Sequence, residues 1–286
     1  MEKCHFLKEI FVLKLSEKGI YETNKWIEKN INFFGIDRNI LKIKPICELA
    51  FCLMAIDSEI PNNKVTKFIV DELVNFDLEN LLISNSKNVN LAILLNDFIF
   101  IVTGEKRLND EVIDGITRNN WNEFTEIEKK EFLCYRKLIE RNFKDFKFED
   151  KKLHYRSLTV SQEYSLTHYI FFKTYLGRKK LDLINQNMSE NLNFILSLTL
   201  KEIILANYDI ASELILSFFM ISNINYIQYN SELVLQILNL IYDQFIGGIC
   251  FKINQNNFIN NYHTILVNNM LWREVRKWEK YIRKLN

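Results

Sequence analysis

Only seven glycines and two prolines punctuate a chain of 286 residues. A sheet-rich domain of that length needs a turn about every 8–12 residues, and the usual turn-formers are missing. The apolar residues recur at helical spacing instead. Cys47, Phe51, Met54 and Ala55 follow an i, i+4, i+7, i+8 stripe, and Ile203, Ala206 and Ile210 carry the same pattern later on. The chain therefore reads as all-α, with helices over residues 2–18, 22–34, 45–58, 63–76, 89–103, 109–120, 126–142, 163–176, 189–206, 208–223, 230–246 and 257–284. Pro45 is preorganised for a first helical turn. Ser161 offers N-cap chemistry ahead of an apolar run, and Gly177 before Arg178 and Lys179 reads as a helix stop. Residues 143–160 mix charge and aromatics and read as an irregular excursion.

Neighbouring helices pair into about six hairpins. Polar markers inside the most apolar segments (Glu48, Asn96, Tyr135, His168, Glu213 and His263) are separated by 48, 39, 33, 45 and 50 residues. The period is one of pattern, since no sequence identity repeats. Stacked helix pairs produce such spacing. The expected architecture is one domain over 1–286, built of successive helical hairpins (an α/α repeat). A closed toroid is favoured over an open solenoid, with an irregular bundle as the alternative.

With 48% hydrophobic and 26% charged residues the chain can bury a large core. Lys and Arg total 37 against 36 Asp and Glu. That balance argues against a nucleic-acid partner, because duplex binding needs clustered cations to replace counterions. The basic stretch at 273–284 is interleaved with Glu274 and Glu279 and reads as a solvated helix face. Five scattered cysteines (Cys4, Cys47, Cys52, Cys134 and Cys250) form no disulfide framework and no CxxC pair. Cys47 and Cys52 read as small core residues. No signal pattern opens the chain, and no apolar run nears the roughly 20 residues of a membrane span. The expected setting is cytoplasmic, with no membrane partner.

The candidate chemistry lies in polar residues set among apolar ones. His168 stands in Leu166-Thr167-His168-Tyr169-Ile170-Phe171-Phe172, and His263 in Tyr262-His263-Thr264-Ile265-Leu266. Between them Asp209 and Glu213 share a helix face at i and i+4. Glu48 interrupts the apolar run around Cys47. A carboxylate on an inward face must meet a charge, a metal or water, because its uncompensated burial is costly. His168, Asp209, Glu213, His263 and Glu48 are therefore the candidate catalytic residues. His168, Glu213 and His263 are the candidate ligands of a divalent metal such as zinc. Without metal, either histidine tuned by a carboxylate would serve as a general base.

Each residue also has a plain structural reading. Either histidine can be a satisfied core residue, Asp209 an N-cap, and Glu213 a solvent-edge group or the partner of a Lys or Arg. His154 reads as mouth-lining or exposed, and His5 as surface. Phe171, Phe172, Tyr175, Phe218, Phe219 and Tyr226 read as core or as walls of an apolar pocket. No Gly-rich phosphate loop, GxSxG, GxGxxG or HExxH occurs, which disfavours ATP use and dinucleotide binding.

Leu166-Thr167-His168 with Phe171-Phe172, Asp209-x-x-x-Glu213-Leu214 and Tyr262-His263-Thr264 give the last 130 or so residues a resemblance. They resemble an uncharacterised family of bacterial helical-repeat proteins, seen mostly in soil bacteria and often encoded near natural-product genes. The resemblance implies these residues as a site and natural-product biosynthesis as a setting, but no reaction. One departure is Thr174-Tyr175-Leu176-Gly177, where an acidic residue would be expected. The hairpin ring is also similar in architecture to lanthionine cyclases and prenyltransferase subunits, without the cysteine zinc ligands of the former. Two functions follow as expectations: an enzyme acting on a small-molecule or peptide intermediate in a polar or metal-binding cavity, or a non-catalytic binding module for a peptide or partner protein.

Overall fold

The computed structural model describes residues 2–36, 43–56, 63–74, 76–84, 88–125, 128–129, 131, 158–178, 188–246 and 255–285. Among these the regular elements are helices, with no strand. They are α1 (Glu2–Lys29), α2 (Lys44–Ile56), α3 (Lys64–Val74), α4 (Leu78–Ser84), α5 (Val89–Thr103) and α6 (Asp110–Asn120), then α7 (Val160–Lys173), α8 (Met188–Ile204), α9 (Tyr208–Ile221), α10 (Ile224–Tyr229), α11 (Ser231–Ile241) and α12 (Gln255–Leu285). No helix among the described residues is long and apolar enough to cross a membrane. Most of the expected helix at 126–142, most of the excursion at 143–160, His154 and the side chain of His5 lie outside the described residues.

Contacts divide the chain into two compact units, Met1–Asn30 with Lys151–Asn286, and Ile31–Asp150. The second unit is organised by α5, which packs against α2, α3, α4 and α6. It buries Val89, Ala92, Ile93, Leu94, Leu95, Phe98 and Ile99, which leaves no polar stripe for solvent. Asn96 is buried within it because its side chain has work to do. Its Oδ1 accepts the backbone N–H groups of Arg107 at 2.9 Å and Leu108 at 2.8 Å, fixing the turn into α6. On α2, Cys47 and Cys52 are buried, and burial pushes the Cys47 thiol well up, so it is a packing residue.

The first unit is organised by α9, whose residues from Ile210 onward are all buried. It packs against α7, α8 and α12, while α12 also runs along α1. The expectation of two helices at 2–18 and 22–34 is corrected here, since α1 is continuous through Gly19. Gly19 breaks nothing because it is a contact. A Cβ there would lie 2.5–2.6 Å from the indole of the fully buried Trp272 on α12. Along 273–284 the described basic residues Arg273, Arg276, Lys277 and Lys280 are half-exposed or exposed, as expected of a solvated face, whereas the interleaved Glu274 and Glu279 are largely buried and Ser16 Oγ donates to Glu279 Oε2 at 2.9 Å.

Two further boundaries differ. α7 starts at Val160, near Ser161 but ahead of the expected bound at 163, and its N-cap is Thr159 rather than Ser161, because Thr159 and Gln162 form a capping box. It ends at Lys173, and Tyr175, Leu176 and Gly177 then take left-handed backbone at φ 48°, 59° and 77°. The short helices α4 and α10 occupy stretches read as links.

Candidate functional site

Three helices of the first unit bring the polar residues together. On α7, Tyr164, Thr167 and His168 stand at i, i+3 and i+4 and share the face turned to α9. On α9, Asp209 is in the first turn, where the helix N-terminus favours a carboxylate, and Glu213 lies one turn further on. His263 and Thr264 on α12 approach from the other side.

The distances describe one connected cluster. His263 Nε2 lies 3.1 Å from Glu213 Oε1 and 3.8 Å from Asp209 Oδ2. His168 Nε2 lies 3.9 Å from Glu213 Oε2, beyond direct hydrogen bonding. Thr167 Oγ1 donates to that same Glu213 oxygen. Asp209 accepts from Tyr164 Oη at 2.6 Å and Thr264 Oγ1 at 2.7 Å. Further along the α9–α12 seam, Asn268 Nδ2 donates to Ser212 Oγ at 2.9 Å.

Burial grades the cluster from floor to rim. Glu213 is 1% exposed and forms the floor, whereas the side chains of Asp209, His263 and His168 are 28%, 36% and 39% exposed. The expectations of a solvent-edge Glu213, or of one paired with a Lys or Arg, are corrected: it is buried and hydrogen-bonded to Thr167 and His263, with His168 at 3.9 Å. Asp209 does not cap its helix. Asn207 holds that position, and the Asp209 side chain is committed to α7 and α12. Burial, then the hydrogen bond to Asp209 and the nearby carboxylate charges, push the Tyr164 hydroxyl far above the usual tyrosine range, which keeps it a donor.

One donor atom from each of Asp209, Glu213 and His263 lies within 4.8 Å of the others. The separations from His263 Nε2, 3.1 Å to Glu213 Oε1 and 3.8 Å to Asp209 Oδ2, are within the roughly 4.4 Å that two ligands about 2.2 Å from one zinc ion can span. Nitrogen and oxygen donors without thiolate suit zinc, manganese or iron(II). Tyr164, Thr264 and Thr167 would orient the two carboxylates from behind, as partners of metal ligands do. The sequence-based ligand set was His168, Glu213 and His263. Asp209 stands nearer His263 in the cluster, and His168 adjoins it through Glu213. Glu48 is not among these groups. It belongs to the other unit and pairs with Lys44, one turn back on α2, at 3.4 Å.

A second buried acidic pair lies beside the first on α7 and α8. Lys201 Nζ contacts Glu163 Oε1 at 2.7 Å and Glu202 Oε1 at 2.8 Å, and both carboxylates are fully buried. Burial holds the Glu163 carboxyl above the usual range, and Glu202 adds to this against the Lys201 hydrogen bond. Burial also pushes Glu202 upward, but hydrogen bonds from Lys201 and Asn207 prevail and hold it below. Sequence reasoning missed Glu163, Glu202, Tyr164, Thr167 and Thr264. The first two were legible as charged residues on apolar helix faces. The hydroxyls carried no signal of their own beyond adjacency to His168 and His263.

A cavity of about 260 Å³ opens beside Asp209, with Val160, Tyr164, Asn207, Tyr208 and Thr264 on its wall. The aromatic residues considered as pocket walls are elsewhere. Phe171, Phe172, Tyr175, Phe218 and Phe219 are buried in the core, where Phe218 packs against Phe219 and Tyr226. Comparison with known protein families, with curated proteins and with solved structures gives no match to this chain.

Proposed function

We propose that the cluster on α7, α9 and α12 holds one divalent cation such as zinc, and that the protein is an enzyme acting there on a small-molecule or peptide intermediate. Asp209, Glu213 and His263 would hold the ion, with His168 at the edge of the shell. The observation that carries this is the convergence of donor atoms from those three residues within 4.8 Å, on a buried carboxylate floor with half-exposed imidazoles above it. Evolution of a purely structural core would favour apolar groups here, since burying Glu213 costs free energy unless its charge is used or matched. A cation at this place supplies Lewis-acid activation of a carbonyl or of water. The chain's own groups supply orientation, through Tyr164, Thr264 and Thr167, and proton transfer, through whichever imidazole stays outside the shell.

The family resemblance at the same three segments supports this location and a role in natural-product biosynthesis.

The 3.1 Å contact of His263 with Glu213 favours a second reading, a metal-free pair in which the buried carboxylate orients the imidazole as a general base. One experiment separates the two. Protein purified without chelators or affinity metal is analysed for bound elements, then titrated with zinc, manganese and iron(II) while its melting temperature is followed. About one equivalent of metal, or a saturable rise in melting temperature that Glu213→Gln abolishes, is the expected result. No bound metal and no shift with any of the three ions would leave only the metal-free pair.

A further inference from the structure

α7 and α8 each pack on α9, and a polar tie joins them directly. Lys201 Nζ meets Glu163 Oε1 at 2.7 Å and Glu202 Oε1 at 2.8 Å, and reaches the Leu158 carbonyl just ahead of α7 at 3.5 Å. Glu202 Oε2 accepts from Asn207 Nδ2 at 2.7 Å, so the tie extends to the turn from which α9 starts. Both carboxyl groups are fully buried, whereas Lys201 is 42% exposed. With both acids ionised, two carboxylates share one ammonium and a buried negative charge is left over. Such a charge is costly, and a proton removes it. The neutral cluster is therefore one ammonium, one carboxylate and one carboxyl. Glu163 Oε2 is buried with no hydrogen-bond partner among the described residues, a costlier place for a carboxylate oxygen than for a carboxyl one, so the proton belongs on Glu163. The directions of the two acids agree. Burial raises Glu163, while hydrogen bonds from Lys201 and Asn207 outweigh burial at Glu202.

We propose that this cluster is a pH-operated clasp on α7, closed by a single proton and released when that proton is lost or a second is gained. Glu163 directly precedes Tyr164, and Asn207 stands two residues before Asp209, so the clasp grips two walls of the cavity beside Asp209. Release lets the first turns of α7 move off, and with them the Tyr164 and Thr167 hydroxyls that hold Asp209 and Glu213. The clasp acts on those carboxylates whether or not a cation is held there. Lys201 and Glu202 on α8 face Glu163 itself. Asp209 and Glu213 on α9 face its helix neighbours Tyr164, Thr167 and His168, with His263 of α12 beyond them. The closed state binds the Glu163 proton more tightly than the open one, so that contribution is full below 4.5 and lost as pH rises through the closed-state value. The Glu202 contribution is present above 4.5 and lost as pH falls through its own closed-state value. Closure is thus strongest near 4.5, and opening grows on both sides.

Hydrogen–deuterium exchange of the full chain, treated with chelator, tests this from about pH 3 to 8 after correction for intrinsic amide rates. Peptides of α7 should exchange most slowly near 4.5 and gain up to about tenfold in corrected rate per pH unit on either side, while Ile210–Ile221 of α9 stays flat. Glu163→Gln, whose amide stands in for the protonated carboxyl, should remove the rise on the alkaline side and keep the one on the acid side. Lys201→Met makes the doubly protonated pair the neutral one and should remove the acid-side rise. An alkaline-side rise that survives Glu163→Gln belongs to the imidazoles of His168 and His263 and overturns the proposal. So does a flat α7 profile, or a rise that α9 shares equally, which is unfolding of the whole unit.

Discussion

Gly19→Ala sets two well-measured effects against each other. In an isolated helix the substitution stabilises by about 0.8–1.0 kcal/mol, because alanine is the better helix former. In this protein the added methyl would lie 2.5 Å from Trp272 Cγ and Cδ2 and 2.6 Å from Cδ1. Carbon atoms at optimal separation are about 3.5–4.0 Å apart, so α1 and α12 must part by roughly 1 Å, or the indole must turn. The indole is fully buried, and Tyr242 meets it edge-on at 6.0 Å, which blocks rotation. Overpacking of this kind costs about 1–3 kcal/mol, sometimes more, so the net expectation is a loss of about 0–2 kcal/mol. Urea unfolding monitored by circular dichroism measures it as a lower midpoint at unchanged slope. The double-mutant cycle with Trp272→Ala isolates the clash. That substitution alone costs about 3–5 kcal/mol, but in its background Gly19→Ala is stabilising by up to about 1 kcal/mol. A stabilising Gly19→Ala in the natural background, or equal effects in both, would refute the close approach of α1 and α12 and with it the placement of the helix that carries His263.

Other perturbations address the polar groups. Burial holds the Glu163 carboxyl above its ordinary value of 4.5, so the native state binds that proton more tightly than the unfolded chain does. The stability due to Glu163 is full below 4.5 and lost as pH rises through the folded-state value. Glu163→Gln should therefore flatten the fall of melting temperature as pH rises above 4.5, and an unchanged profile argues against it. Glu202 has the opposite sign, being held below 4.5, so Glu202→Gln should flatten the loss seen as pH falls through its folded-state value. Tyr164→Phe removes one of the two hydroxyls on Asp209 and should weaken zinc binding by about 10–100-fold at little cost in fold, read by competition with a chelating dye. Asn96→Ala strips the acceptor from the backbone N–H groups of Arg107 and Leu108, and equilibrium unfolding should show a loss of about 1–3 kcal/mol.

The helical class was legible because its signal is distributed. Scarcity of glycine and proline and a 3.6-residue apolar stripe are repeated along every element, so a local error does little harm. Boundaries depended on single residues and suffered accordingly. Gly19 reads as a break from sequence because the local preference of glycine is visible and Trp272, far away in the chain, is not. The acidic and imidazole cluster was legible for a related reason. A charge inside an apolar helix conflicts with its surroundings, and the conflict can be seen without knowing the partner. Glu48 showed the same conflict but resolved it locally, with Lys44 one turn away. Thr167 and Thr264 were illegible because a threonine sits in a helix without conflict whether or not it holds a carboxylate.

The cluster is drawn from stretches 45 to 55 residues apart in the chain, bridged at Glu213 and Asp209. No short piece of the polypeptide contains it, so whatever binds there is captured only after α7, α9 and α12 have docked. A guest that prefers the assembled arrangement then opposes unravelling of the whole helical group, by an amount set by its concentration relative to Kd. Slowed amide deuteration should thus extend to α1, which the guest never touches, because α12 cannot lift away from α9 while its histidine is engaged.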